Sequence, residues 1–81
     1  MYEVREERYI IEMVGNTYPF YVSDVMNGGE PCFTADVDGA IKYRSQARAL
    51  IELERIKKAG FAMDMVVEPL VINYTIGRNA R

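Results

Sequence analysis

A protein does covalent chemistry through nucleophiles, acids and metal ligands, and this sequence carries few of them. It has no histidine and no tryptophan, and its single thiol is Cys32. A Ser-His-Asp or Cys-His arrangement is therefore excluded, as are a histidine proton switch and the usual Cys/His zinc site. Cys32 lies in the run CFTA, beside Phe33. It reads as a small buried apolar residue, because a reactive thiolate needs an activating base or cation. Asp36, Asp38 and Gly39 begin like a calcium loop. The third oxygen ligand before the glycine is missing, and Ala47 stands where a bidentate glutamate is required. The two aspartates are expected to cap a turn. Asn27, Gly28 and Gly29 could offer backbone N–H groups to an anion, but no lysine accompanies them and Glu30 follows, so a plain turn is expected. No catalytic residue, cofactor or metal ligand is expected, and the chain is read as not an enzyme.

Cations are better represented. Lys42, Arg44, Arg48 and Arg55 form a candidate basic patch, with Tyr43 among them and Lys57 and Lys58 close by. Such residues contact phosphates, and tyrosines on an open sheet stack on bases. Glu52 and Glu54 dilute the patch, the sequence pI is about 5.0, and no RNP, KH or zinc-finger signature is present. A solvated helix face is the plainer expectation.

With 81 residues and 9.3 kDa, the chain is expected to form one domain, 1–81, with a small core. It is 49% hydrophobic and 27% charged, too apolar for disorder. A lone cysteine makes no internal disulfide, which points to a reducing compartment and a cytoplasmic location. MYEVREERY has no apolar h-region of a signal peptide. The longest apolar-rich run, 65–76, is broken by Glu68, Pro69 and Asn73 and is too short to span a bilayer, so no membrane role is expected. Charge is unevenly spread. Residues 1–38 hold eight acids against two bases, and residues 39–81 hold eight bases against four acids. Such asymmetry marks either an interaction face or a mixed, solvated surface.

Several elements must position these residues. YIIEMV (9–14) and YPFYVSD (18–24), separated by Gly15, Asn16 and Thr17, read as a β-hairpin, with Tyr18, Phe20 and Val22 sharing one side. MNGGEP is a turn, CFTA a short third strand, and DVDGAIKY a capped turn or short helix. Ser45 then N-caps a helix over 46–59 whose apolar stripe is Ala49, Leu50, Leu53 and Ile56. Gly60 stops it, and Phe61 is expected to pack back on Ile56. MDMVVE (63–68) reads as a strand that Pro69 interrupts, LVINYTI (70–76) as a further alternating segment, and 77–81 as a flexible tail. The predicted fold is α+β: a small antiparallel sheet with one helix packed on one face.

LVINYTI is the most unusual stretch. It is uncharged and apolar on both sides, so in a small sheet it is either paired within the fold or offers an open edge to another chain. Leu70, Ile72, Asn73, Tyr74 and Ile76 are therefore the candidate partner interface, for a homodimer or for a different protein.

The segment FTADVDGAIKYRSQARALIELERIKKAGF resembles small accessory proteins encoded by tailed bacteriophages. The residues that carry the resemblance are Phe33, Thr34, Asp36, Ala40, Tyr43, Ser45, Ala49, Leu53, Gly60 and Phe61. They form a strand, a cap, a helix stripe and a helix stop, while LVINYTIGRNAR lies outside the pattern. The resemblance implies a phage accessory protein of the host cytoplasm that binds a host protein or defence complex and inhibits or modulates it. Two other readings stand beside it. One is a nucleic-acid-binding accessory domain using the basic patch, and the other is an oligomer that sequesters a small ligand between subunits.

Overall fold

The computed structural model describes residues 2–15, 17–61 and 64–76. In chain order they form β1 (Tyr2–Met13), β2 (Phe20–Val25), β3 (Pro31–Thr34), a single 3₁₀ turn (Val37–Gly39), α1 (Gln46–Lys58) and β4 (Met65–Ile76). The strands make one antiparallel sheet in the order β3-β2-β1-β4, and α1 packs on one face. This is the α+β architecture that the sequence predicts. Asn16, Met63 and the expected tail 77–81 lie outside the described residues.

The helix forms where its caps allow. The Ser45 hydroxyl accepts the Arg48 N–H at 3.2 Å, satisfying one of the donors left open in the first turn. At the other end Gly60 takes a φ of 97° and donates to the Lys57 carbonyl at 3.0 Å. Ala49, Leu53 and Ile56 are buried against Ile11, Val22 and Met65, with Tyr9, Met13, Phe33, Phe61 and Val67 around them. Leu50 is a correction: predicted to join the buried stripe, it is 48% exposed. The stripe is narrow because the sheet is narrow, and the helix face turned away from it carries Leu50 and Ile51 into solvent.

Three strand expectations also change. Tyr18, grouped with Phe20 and Val22 on one side of the hairpin, precedes β2 and is 71% exposed, whereas Val22 is fully buried. β1 starts seven residues earlier than predicted, so the charged segment EVREER is strand. Pro69 interrupts nothing: β4 runs through it from Met65 to Ile76.

The last result follows from hydrogen-bond phase. Tyr9 exchanges both backbone bonds with Tyr43, each 2.8 Å, so its N–H and C=O point away from β4. Tyr9 and Pro69 are therefore an opposed pair without mutual hydrogen bonds. The N–H that proline lacks is one that would have faced outward, which is where an edge strand tolerates proline. Consistent with this phase, Val14, an even-numbered residue, donates to Asp64 across the same ladder at 2.9 Å.

Residues 41–43 enter where β1 and β2 part. The Ile41 N–H bonds to the Val22 carbonyl at 3.0 Å, and Tyr43 bridges to Tyr9. β2 pairs β1 only at Glu12 and Met13. Beyond Tyr9, residues 2–8 of β1 and 70–76 of β4 continue alone as a two-stranded arm. A twelve-residue strand is about 40 Å long, and the molecule measures 52 × 27 × 19 Å. Its radius of gyration, 15.1 Å, is well above the ~12 Å of a compact chain of this length.

Candidate functional site

The arm has two edges and two faces. On the face that the helix covers further down the sheet stand Glu3, Arg5, Glu7, Val71 and Asn73, all exposed. The opposite face carries Val4, Glu6, Arg8, Leu70, Ile72 and Tyr74. Most of these are half-buried, and Tyr74 is exposed. Arg8 pairs with Glu6 at 3.0 Å on that face and also donates to the Glu7 carbonyl. An ion pair so exposed adds at most about 1 kcal/mol. Val37, Asp38 and Lys42, in and after the 3₁₀ turn, line a cleft together with residues 70–74.

The edges differ in kind. By the phase set at Tyr9, odd-numbered residues turn their backbone groups outward on both strands. Along the free edge of β1 these are Glu3, Arg5 and Glu7, whose charges discourage a further strand. Along β4 they are Val71, Asn73 and Thr75, all uncharged. Among the described residues no strand pairs with the outer edge of β4. Pro69 marks where this bonding-competent stretch begins, since it offers no N–H.

The residues singled out from the sequence are thus gathered on one element. Leu70 lies opposite Arg8, Ile72 opposite Glu6, Asn73 opposite Arg5 and Tyr74 opposite Val4. Ile76 pairs through its backbone with Tyr2, and its side chain lies outside the described set. The sequence alone missed Glu3, Arg5 and Glu7, which make the other edge unattractive. Their signal was charge alternating in sign at every second residue.

The basic patch is less available than its composition suggests. Lys42 Nζ donates to the carbonyls of Val37, Asp38 and Ala40 at 3.2, 2.9 and 3.2 Å, closing the 3₁₀ turn. Arg55 bonds to Glu52 at 3.1 Å and reaches the carbonyls of Met26 and Asn27. It thereby ties the helix end to the β2–β3 turn. Arg44 and Arg48 remain exposed. Asp36 caps the 3₁₀ turn by accepting the Asp38 N–H at 3.0 Å, as expected of a capping pair. Cys32 is half-buried in β3, across from Asp24. Among the described residues no group of three or more His, Cys, Asp or Glu could hold a metal ion, and no helix is long and apolar enough to cross a membrane.

Among the described residues, Tyr43 carries the one strongly perturbed group. Its hydroxyl is buried without a hydrogen-bond partner and lies near a cleft shared with Arg48, Ile51 and Glu52. Burial, reinforced by Glu52, pushes its pKa up to about 12. The unfolded chain ionises this phenol near pH 10 while the folded chain keeps it neutral. Its contribution is thus intact below about pH 10 and declines as pH rises toward 12. Tyr43→Phe removes a buried hydroxyl that bonds to nothing, so at pH 7 its stability should equal or exceed that of the parent by up to about 1 kcal/mol. Thermal melts at pH 8 and pH 11 should show a smaller fall for the variant. A fall as large as in the parent would mean that Tyr43 is not the responsible group.

No protein-family model, no curated protein and no solved structure matches this chain.

Proposed function

We propose that the chain acts by binding another protein, through addition of a strand to the outer edge of β4. The observation that carries this is the free, uncharged edge over residues 70–76, set beside a β1 edge protected by Glu3, Arg5 and Glu7. Strand addition draws its affinity from main-chain bonds and its specificity from alternate side chains. Here the alternate side chains are Leu70, Ile72 and Tyr74 on one face and Val71 and Asn73 on the other. The reading is of a non-enzymatic module. In the phage setting that the sequence resemblance implies, the partner is a host protein or defence complex whose action the docked arm inhibits or modulates.

Asn73→Pro tests the reading. It removes an outward N–H at the same phase as Pro69, so the β1–β4 ladder keeps all of its bonds. Capture from a bacterial lysate is compared for the parent, Asn73→Pro and Arg44→Glu/Arg48→Glu. The expected result is a protein retained by the parent and the double variant and lost by Asn73→Pro. Capture that survives Asn73→Pro but disappears with the two arginines would overturn the edge reading in favour of a charge-driven one.

A further inference from the structure

We infer that, in the absence of another partner, the outer edge of β4 is occupied by β4 of a second copy of this chain, running antiparallel with Asn73 opposite Asn73 of the second copy. The inference rests on reading β4 as a docking edge, and it names that edge's occupant and register.

The register follows from three features. Within β4 the uncharged stretch that follows Pro69 is seven residues, 70–76, and its centre is Asn73. Asn73 is one of the residues whose backbone turns outward, so the self-opposed pair at 73 is a hydrogen-bonded one. Val71 then exchanges bonds with Thr75 of the second copy, and the same pair recurs on the other side of the two-fold axis. On the opposite face Ile72 meets Tyr74, and Leu70 lies across from position 76. The Ile72–Tyr74 pair is aromatic–β-branched, a kind that stabilises antiparallel sheets. Moving the centre to Ile72 would set Glu68 opposite Ile76. Moving it to Val71 would set Pro69, which cannot donate, opposite Asn73. Only the centre at Asn73 uses the whole uncharged run without a charge or a missing donor inside it.

The helices do not obstruct the pairing. A two-fold axis normal to the sheet keeps equivalent faces on the same side. The helices pack near Ile11 and Met65, several residues down β4 from position 73. They therefore lie at opposite ends of the joined ribbon. The product is one eight-stranded antiparallel sheet, β3-β2-β1-β4 followed by its mirror order in the second copy.

Sedimentation equilibrium from micromolar to millimolar concentration reads the state directly. The expected result is a concentration-dependent rise from the 9.3 kDa monomer mass to twice that mass, absent in Asn73→Pro. Register is read by Asn73→Cys in a Cys32→Ala background. A hydrogen-bonded antiparallel pair sets its Cα atoms about 5.5 Å apart, within disulfide range. Asn73→Cys should therefore oxidise rapidly to a covalent dimer, and Val71→Cys in the same background should not. A parent that stays monomeric throughout overturns the inference, as does a dimer that persists in Asn73→Pro or equal cross-linking at 71 and 73. A monomeric parent whose lysate partner is still lost in Asn73→Pro overturns self-pairing alone. A dimer cross-linked at 73, whose lysate capture ignores Asn73→Pro, overturns only the reading that a different protein binds this edge.

Discussion

Gly29→Ala should destabilise the fold by about 3 kcal/mol, from two independent causes. Gly29 sits in the β2–β3 turn with a φ of 83°, where an L side chain costs about 1–2 kcal/mol. A Cβ built there would also stand 2.7 Å from the Ala59 Cβ at the end of α1. The turn cannot back away freely, because Arg55 holds its Met26 and Asn27 carbonyls and the Gly29 N–H bonds to Met26 at 2.9 Å. Crowding of this kind costs a further 1–3 kcal/mol or so. Gly15 is the control: its φ is 87° and nothing lies within 4 Å of a built Cβ. Gly15→Ala should therefore show only the conformational part, about 1 kcal/mol. Urea unfolding of both variants, and of Gly29→Ala combined with Ala59→Gly, separates the terms. The combination should recover a large part of the loss. If Gly29→Ala costs no more than Gly15→Ala, the close approach to Ala59 has no energetic consequence.

Ile11→Ala should have the largest effect of any single truncation, about 4 kcal/mol. Ile11 is fully buried at the centre of the sheet face covered by α1, among Val22, Leu53, Ile56 and Met65. Domains of this size have roughly 5 kcal/mol in total, so the variant should be substantially unfolded at room temperature. Leu50→Ala and Ile51→Ala, on the exposed side of the helix, should each change stability by less than about 1 kcal/mol. Circular dichroism melts distinguish the two outcomes. A Leu50→Ala loss as large as that of Ile11→Ala would restore Leu50 to the core stripe and contradict the helix orientation described above.

The sequence signals that proved legible were local ones. Ser45, the run without proline or glycine, and Gly60 define α1 because caps act within one turn of the residues they satisfy. The turn chemistry of Asn27-Gly28-Gly29 and of Asp36 is equally short in range. The parts that were not legible depend on partners distant in sequence. EVREER has no apolar alternation, and it becomes strand because 70–76 lies beside it. Glu3, Arg5 and Glu7 alternate in sign on one face, and the Glu6–Arg8 ion pair lies on the other. That pattern suits a strand with one exposed side and one half-buried side. Pro69 reads as a break because the sequence does not reveal which way its backbone nitrogen faces, and Tyr43 decides that. The composition of the candidate interface was visible in LVINYTI, but its freedom was not. An edge is a property of strand order, and strand order places β4 outermost only once β1 has taken the position between β2 and β4.

Joining β1 to β4 also brings Tyr2 against Ile76, so the longest ladder in the sheet links segments at nearly the greatest possible separation along the chain. Entropy must be surrendered in closing that loop before any of its rungs can form. Acquisition of the native state is therefore expected on the millisecond-to-second scale typical of non-local β topologies. During that interval 70–76, uncharged and rich in β-forming residues, has no cover from its own chain, and low concentration is the condition under which refolding should give the best yield.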